Sequence, residues 1–231
     1  MERGLELGRR SDDSGAVDDA SKPEIKVETL TLDAETLDQV AAVGTEAFSE
    51  DPFFTFLSPD RRLRRRGLRI YTRGSVGCLG ERGLVLGVRG ASGRLVGVAA
   101  FVRPGRYPLP AGAQLRQALA AFWALVPRPP ALVQGSKYLR AIDKAHPHEH
   151  LWYLQLLAVD PSVQRGGIGG ALQEHVYPMA DREQLASYLE TQKEENLAYY
   201  RRFGYETVEE LHPVRHGPPL WTLRREPRTR D

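Results

Sequence analysis

From Val159 to Leu172 the chain reads Val-Asp-Pro-Ser-Val-Gln-Arg-Gly-Gly-Ile-Gly-Gly-Ala-Leu, placing Gly166, Gly167, Gly169 and Gly170 within five positions. A helix that opens in glycines exposes backbone N–H groups with no intrahelical partner, lets anionic oxygens approach without a Cβ in the way, and adds the positive end of its dipole. The chemistry on offer is anion capture. A nucleoside-triphosphate loop requires Lys and then Ser or Thr after the last glycine, and here Ala171 and Leu172 follow. The dinucleotide fingerprint fits only in part. Gly167-x-Gly169-x-x-Leu172 lacks its third small residue, although Glu190 supplies an acid about 20 residues on, as a ribose contact requires. A tight turn without a ligand is the remaining alternative, and it is disfavoured because clustered glycines cost backbone entropy.

Three other clusters carry reactive side chains. His146, His148 and His150 alternate, so on a strand they would share one face. Pro147 interrupts that strand and Glu149 points the other way, which favours a pocket rim or a proton relay; no metal site is expected. Arg61, Arg62, Arg64, Arg65, Arg66, Arg69 and Arg73 form a basic run. No interleaved aromatics or groove-reading motif accompany it, so a solvated helix face is expected and no nucleic-acid partner. Phe48, Asp51, Phe53, Phe54, Trp123, Tyr138 and Trp152 combine aromatic walls with one carboxylate, a composition suited to a cationic amine ligand.

Gln164-x-x-Gly167-x-Gly169, after a strand ending Val159-x-Pro161, resembles the acetyl-CoA signature of the GNAT superfamily of N-acetyltransferases. The later run Asn196-Leu-Ala-Tyr-Tyr200-Arg-Arg-Phe-Gly204-Tyr205 resembles that superfamily's second motif, an Asn and a Tyr on a helix ending in Gly and an aromatic. Within the superfamily, Trp152 and Leu189-Glu190-Thr191 are most similar to the puromycin N-acetyltransferase type.

The resemblance implies roles. Backbone amides of Arg165, Gly166, Gly167, Ile168, Gly169 and Gly170, with Gln164 beside them, would hold the coenzyme A pyrophosphate, and Asn196 the cofactor arm. Leu157, Ala158 and Val159 would pair with the pantetheine, the Leu157 N–H serving as oxyanion donor. Tyr200 would protonate the departing thiolate. The central strand offers Leu154-Gln155-Leu156-Leu157 and no carboxylate, so Glu190 is the expected base, directly or through water. The implied activity is acetyl transfer from acetyl-CoA to a primary amine of a small molecule, an antibiotic or an aminoacyl-nucleoside among the candidates. The alternatives are acetylation of a protein or peptide N-terminus, and a non-catalytic acyl-CoA-binding or nucleic-acid-binding regulator.

The elements that must position these groups read as one α/β domain over residues 24–226, a GNAT-like mixed, mostly antiparallel twisted sheet flanked by helices. Ile25 to Leu32 alternates as a half-buried strand, and Asp33 or Thr36 caps a helix that stops near Asp51-Pro52. Phe53, Phe54 and Phe56 follow as an irregular stretch. Residues 59–78 read as an amphipathic helix whose buried stripe is Leu63, Gly67, Ile70, Gly74 and Cys78. A hairpin over residues 83–102, helices over 114–126 and 131–144, and an apolar central strand over 151–159 come next. After the glycines, Ala171 to Ala180 suits a helix, Leu185 to Thr191 a buried strand and Asn196 to Phe203 a helix, and two closing strands form a hairpin.

Composition narrows the setting. The 231 residues hold 32 basic and 30 acidic side chains, 41% hydrophobic residues and one cysteine, Cys78. One cysteine makes no internal disulfide, and a reducing, cytoplasmic setting is expected. The longest apolar stretches are about half the roughly 20 residues that cross a bilayer, so no membrane partner is expected. Residues 1–23 read as a disordered tail. A monomer or homodimer acting on a small-molecule amine is the expected assembly.

Overall fold

The computed structural model describes residues 24–229, except 114, 116–118 and 120–128. Seven strands form a single sheet: β1 (Val27–Thr29), β2 (Gly83–Arg89), β3 (Leu95–Val102), β4 (Trp152–Val159), β5 (Ser187–Thr191), β6 (Tyr205–Leu211) and β7 (Leu220–Arg225). Their order is β1-β2-β3-β4-β5-β7-β6, and every neighbouring pair is antiparallel except β4 and β5. The exception follows from the connection, because a crossover through two helices returns the chain in the same direction. The β2–β3 turn closes at Gly93, whose φ of +76° is available to glycine without strain.

The parallel pair is short. Its ladder holds only Trp152 opposite Ser187 and Tyr153 opposite Tyr188. Beyond Tyr153, β4 stays paired with β3, while β5 pairs along its whole length with β7. The sheet therefore splits between its fourth and fifth strands, and the β5-facing edge of β4 is left open. A bulge sits at the same place: Leu154 pairs with Phe101 and Leu156 with Ala100, leaving Gln155 as the extra residue. Bulges sharpen local twist and re-aim side chains. The Gln155 amide donates to the Ser75 carbonyl at 3.2 Å.

Helices cover both faces. On one lie α1 (Ala34–Phe48), α2 (Pro52–Leu57), α3 (Arg61–Gly77) and α4 (Pro129–Ala145); on the other lie α5 (Ile168–Glu174) and α6 (Tyr177–Glu183), with α7 (Glu195–Arg201) following β5. The first face is packed by Val40, Val43, Val76, Val98, Ala100, Tyr153, Leu156 and Tyr188. The second holds Leu86, Phe101, Trp152, Leu154, Leu172, Leu189, Tyr200 and Leu223. Asp33 caps α1, accepting from the Thr36 N–H at 2.7 Å.

Several elements differ from their sequence reading. The three phenylalanines form a helix, α2, because Asp51 caps it, accepting from the Phe53 N–H at 3.0 Å, and Pro52 starts it. The buried face of α3 is rotated from the expected stripe: Arg64, Gly67, Leu68, Thr72, Ser75 and Val76 are buried, whereas Leu63 is 36% exposed. The rotation is set by a close crossing in which Gly44 of α1 meets Thr72, where a Cβ would come within 2.5 Å of Thr72 Cγ2. The helix expected over 171–180 is two, α5 and α6, breaking just before Pro178, which cannot donate within a helix. The helix expected over 114–126 falls mostly outside the described residues.

Nor is the arginine run a simple solvated face. Arg65 pairs with Glu46, and Arg73 and Arg69 with Asp38, so the basic helix is stapled to the acidic face of α1. Arg64 is 5% exposed and donates to the carbonyls of Ser49, Ser58 and Pro59, tying the α1–α2–α3 corner together. Replacing it strands buried acceptors. Arg64→Met is expected to lower unfolding free energy by about 3 kcal/mol in urea titration, while Arg62→Met, at an exposed position of the same helix, leaves it within about 0.5 kcal/mol.

Candidate active site

The loop from β4 to α5 is built to present backbone amides. Asp160 accepts from the Ser162 N–H at 2.9 Å and its hydroxyl at 2.7 Å, and Gln164 donates to the Val159 carbonyl at 3.0 Å. Gln164 thus ties the loop to the end of β4. Arg165 at φ 65° and Gly167 at φ 90° alternate with ordinary conformations, a sequence that turns successive N–H groups toward one concave side. A left-handed arginine costs about 1–2 kcal/mol, the kind of strain kept where an interaction requires it. From Arg165 through Gly170, no N–H meets an acceptor among the described residues; the first satisfied amide is Ala171, bonded to the Gly167 carbonyl at 3.0 Å.

The glycines divide their work. Gly166 and Gly167 serve the turn. Gly169 and Gly170 serve packing against α7, since a Cβ at Gly169 would sit 2.7 Å from the Tyr199 hydroxyl and one at Gly170 3.1 Å from Phe203 Cζ. Tyr199 is held there by the Gln173 amide at 2.9 Å. Asn196 is also engaged, its amide donating to Thr191 Oγ1 at 3.0 Å, which fixes the start of α7 to the end of β5.

Tyr200, next along α7, lies in the core of the second face, 7% exposed, with its ring edge-on to Tyr199 and Tyr205. Burial raises its pKa, so the phenol is protonated at neutral pH. Its hydroxyl has no hydrogen-bond partner among the described residues. Leu157 and Val159 pack against the same cluster, and both lie on the part of β4 that β5 has left.

Glu190 occupies the opposite side of the split. Two residues after Tyr188 on β5, it points to the first face. Burial lifts its carboxyl to about 7, against a smaller lowering pull from the neighbouring phenols of Tyr153 and Tyr188. Its Oε1 is buried without a partner. A carboxylate of that kind exchanges protons at neutral pH and holds one oxygen ready for a donor. Acid and base candidates thus bracket the opening from opposite faces of the sheet.

The aromatic residues expected to form an acceptor pocket are partly assembled. Phe48 meets Phe54, Phe54 meets Phe53 and Phe53 meets Tyr138, with ring centroids 5.8, 5.1 and 4.8 Å apart. Tyr71 of α3 joins through Phe54 at 5.6 Å. Asp51 is first the cap of α2, and burial raises its pKa. Trp152 does not join this wall. It belongs to the second face, edge-on to Phe101, with its indole N–H on Glu183 at 3.0 Å. The reason is strand alternation, which puts Trp152 and Tyr153 on opposite sides. Trp123 lies outside the described residues.

The sequence reading missed Tyr71, Tyr107, Tyr153 and Tyr188. The i, i+2 spacing of Tyr188 and Glu190 announces a shared face, but Tyr153 enters only through β4–β5 register. His146 is no strand residue: it follows α4, buried, stacked on Tyr107 at 3.6 Å and edge-on to Tyr153 and Tyr188. Burial lowers its pKa. His148 and His150 are exposed.

A seven-stranded open sheet that parts beside its central strand, with an amide-lined turn at the end of that strand, has known counterparts. The fold is that of the GNAT acetyltransferases. Residues 132–207, which run from α4 through the glycine turn to β6, match the family model of the acetyltransferase (GNAT) domain. Similar solved structures include an acetyltransferase from Corynebacterium glutamicum grouped with histone acetyltransferase HPA2, 21% identical, with a TM-score of 0.61 over 88% of this chain and 98% of that one. The paia N-acetyltransferase of Thermoplasma acidophilum, solved with coenzyme A, is 11% identical, with a TM-score of 0.52 over 87% and 99%. The Escherichia coli ribosomal-protein-S18-alanine N-acetyltransferase is 14% identical, with a TM-score of 0.50 over 89% and 97%. Among the described residues of this GNAT fold, no helix is long and apolar enough to cross a membrane.

Two stability predictions follow from the packing. Gly169→Ala pushes a methyl onto Tyr199 and is expected to cost about 1–3 kcal/mol in denaturant titration; in a Tyr199→Phe background, which removes the contacted oxygen, the cost falls by half or more. A purely cofactor-facing glycine shows no such coupling. Glu190 takes up a proton on folding, so the native state loses stability as pH rises from about 4.5 to about 7. Glu190→Gln removes that dependence and is expected to melt at or above the wild-type temperature at pH 8.

Proposed function

We propose that this protein is an acetyl-CoA-dependent N-acetyltransferase acting on a primary amine of a small molecule. The observation that carries the reading is the opening between β4 and β5, which has the amide-lined turn at one end, Tyr200 on one face and Glu190 on the other. The residues fit the cofactor. The unsatisfied N–H groups of Arg165 through Gly170 suit a pyrophosphate, and the open edge of β4 at Leu157, Ala158 and Val159 suits the amides of a pantetheine. Gln164 and Asn196 act by fixing that turn and α7, and in Asn196 the amide oxygen is left for the cofactor arm.

Acetyl-CoA supplies an activated thioester. Glu190 accepts a proton from the acceptor's ammonium group, directly or through one water, freeing the nitrogen lone pair to attack the acetyl carbon. The Leu157 N–H stabilises the carbonyl oxygen as it gains charge. Tyr200 donates its phenolic proton to the sulfur as the C–S bond breaks. The second proton of the attacking nitrogen, made acidic by the new C–N bond, passes through water to the phenolate and restores Tyr200; amide and thiol leave, and Glu190 returns its proton to solvent. No metal is called on.

The acceptor side favours a small amine with an aromatic part. Phe48, Phe53, Phe54, Tyr71 and Tyr138 form a continuous wall, and the β6–β7 loop closes on it where Gly217 packs against Tyr138 and Phe56. A protein N-terminus needs an open groove between that loop and α2. Antibiotics and aminoacyl-nucleosides of the puromycin type are members of the favoured class, since they join a primary amine to an aromatic side chain.

A panel of aromatic amines, polyamines and N-terminal peptides, assayed for coenzyme A thiol release, tests the substrate class; turnover confined to peptides overturns it. Tyr200→Phe is expected to lower kcat about 10²-fold or more without lowering the melting temperature. In wild type, kcat/KM should rise with pH to a plateau above about 7, because Glu190 must be ionised. Glu190→Gln should show a constant deficit below about 7 that narrows as pH climbs toward the amine's own pKa, where free amine needs no base. A deficit equal at every pH, with a lower melting temperature, removes Glu190 from the base role.

A further inference from the structure

Gln173, on α5, is fully buried, and its side-chain amide is used at both ends. The nitrogen donates to the Gly169 carbonyl at 3.0 Å and to the Tyr199 hydroxyl at 2.9 Å, while the oxygen accepts from the Tyr177 hydroxyl at 2.9 Å. A backbone carbonyl can only accept, so the Gly169 contact fixes which end of the amide is nitrogen. The Tyr199 oxygen is therefore an acceptor towards Gln173, and its own hydrogen has to point elsewhere. Among the described residues, no acceptor receives it.

The ring is held as firmly as the hydroxyl. Tyr200 and Phe203 stand edge-on to it at 5.2 and 5.1 Å, and the guanidinium of Arg202, which has no carboxylate partner among the described residues, lies 5.2 Å over its centroid. The hydroxyl is thereby brought to the point where the glycine turn meets the end of β4, since a Cβ on Gly169 would lie 2.7 Å from the Tyr199 oxygen and 3.6 Å from Val159 Cγ2. Cα–Cβ bonds of a helix tilt back toward its start. The oxygen thus lies toward the turn, where the N–H groups of residues 165–170 also lack acceptors. Tyr199 is half-buried, so a ligand can reach it. Burial raises its pKa to about 12, and the phenol keeps its proton at neutral pH.

We propose that Tyr199 is a cofactor-binding residue, a phenol locked by Gln173 so that its remaining hydrogen is offered to a phosphate oxygen of acetyl-CoA where the glycine turn joins β4. This rests on the acetyl-CoA reading given above. The chemistry of the place selects phosphate, because the groups gathered there are all donors: backbone N–H groups, the phenol O–H and an unpaired guanidinium. A phosphate presents only acceptors, and more of them than the single carbonyl of an uncharged amide. The bond from Gln173 adds to the selection, since a hydroxyl that accepts one hydrogen bond is polarised into a better donor for the next.

The test measures binding to the full chain, of coenzyme A and 3′-dephospho-coenzyme A by calorimetry, and of pantetheine, which carries no phosphate, by NMR titration. Tyr199→Phe keeps the ring and removes the hydroxyl. It is expected to raise the Kd of coenzyme A about 10-fold or more, as for loss of a hydrogen bond to a charged group, and to leave that of pantetheine within about twofold. Dephospho-coenzyme A tells the two phosphate sources apart. A loss as large as for coenzyme A assigns the hydrogen to the diphosphate, and a Kd untouched by the substitution assigns it to the 3′-phosphate; either result upholds the proposal. Urea titration shows whether Tyr199→Phe folds. Where it does not, Gln173→Met, which keeps the phenol and removes its anchor, takes its place, with a loss of about threefold expected for the phosphorylated ligands alone. A coenzyme A Kd within about twofold of wild type in the folded variant, or an equal loss for pantetheine, overturns the proposal while the acetyl-CoA reading stands. A wild-type protein that binds none of these ligands overturns both.

Discussion

The parting of β4 from β5 after Tyr153 is the constraint on which the molecule turns. A parallel ladder of two rungs cannot be extended, because β5 gives its other edge to β7 and β4 is bent away by the bulge at Gln155. The open backbone edge this creates would be a liability at the rim of a sheet. Here it lies in the middle, walled by helices on both faces, and that shelter makes it usable as a template for an extended ligand. The groups proposed for chemistry come from the strands and the helix bordering the gap, so the distance between acid and base follows from sheet geometry and not from a loop.

The glycine turn shows one short segment meeting two demands. Its first half must bend so that amides converge, which Arg165 and Gly167 achieve in left-handed conformations. Its second half must lie close under α7, which requires that Gly169 and Gly170 carry no side chain where Tyr199 and Phe203 press down. Helix α7 carries Tyr200, so the contact that fixes the glycine turn also fixes the proposed acid. Asn196, bonded to Thr191, adds a third tie, from α7 back to the strand that carries Glu190. The glycine turn, Tyr200 and Glu190 are held as one unit.

Much of this was legible in the sequence. The central strand, the glycine turn and the helix that follows β5 were readable because each depends on local spacing. What was not legible depends on register or on close crossings. The opposition of Tyr153 and Tyr188 requires knowing which residues of two strands, more than thirty positions apart in the chain, form the last rung. The rotated face of α3 follows from Gly44 and Thr72 meeting across two helices, and no periodicity within α3 reveals it. Trp152 was misplaced because its aromatic character was legible and its side of the sheet was not.

The position of the proposed base can itself be argued from packing. On β4, the bulge turns the extra residue, Gln155, toward α3, the face on which Glu190 lies. A carboxylate there would confront the Ser75 carbonyl, acceptor against acceptor, in a half-buried site. An amide instead donates to that carbonyl and satisfies it. Once α3 presents a carbonyl to the bulge, the acid has to come from elsewhere on the same face, and β5 offers the place two residues beyond Tyr188. There a carboxylate lies near the neutral phenols of Tyr153 and Tyr188, whereas at position 155 it would meet an acceptor.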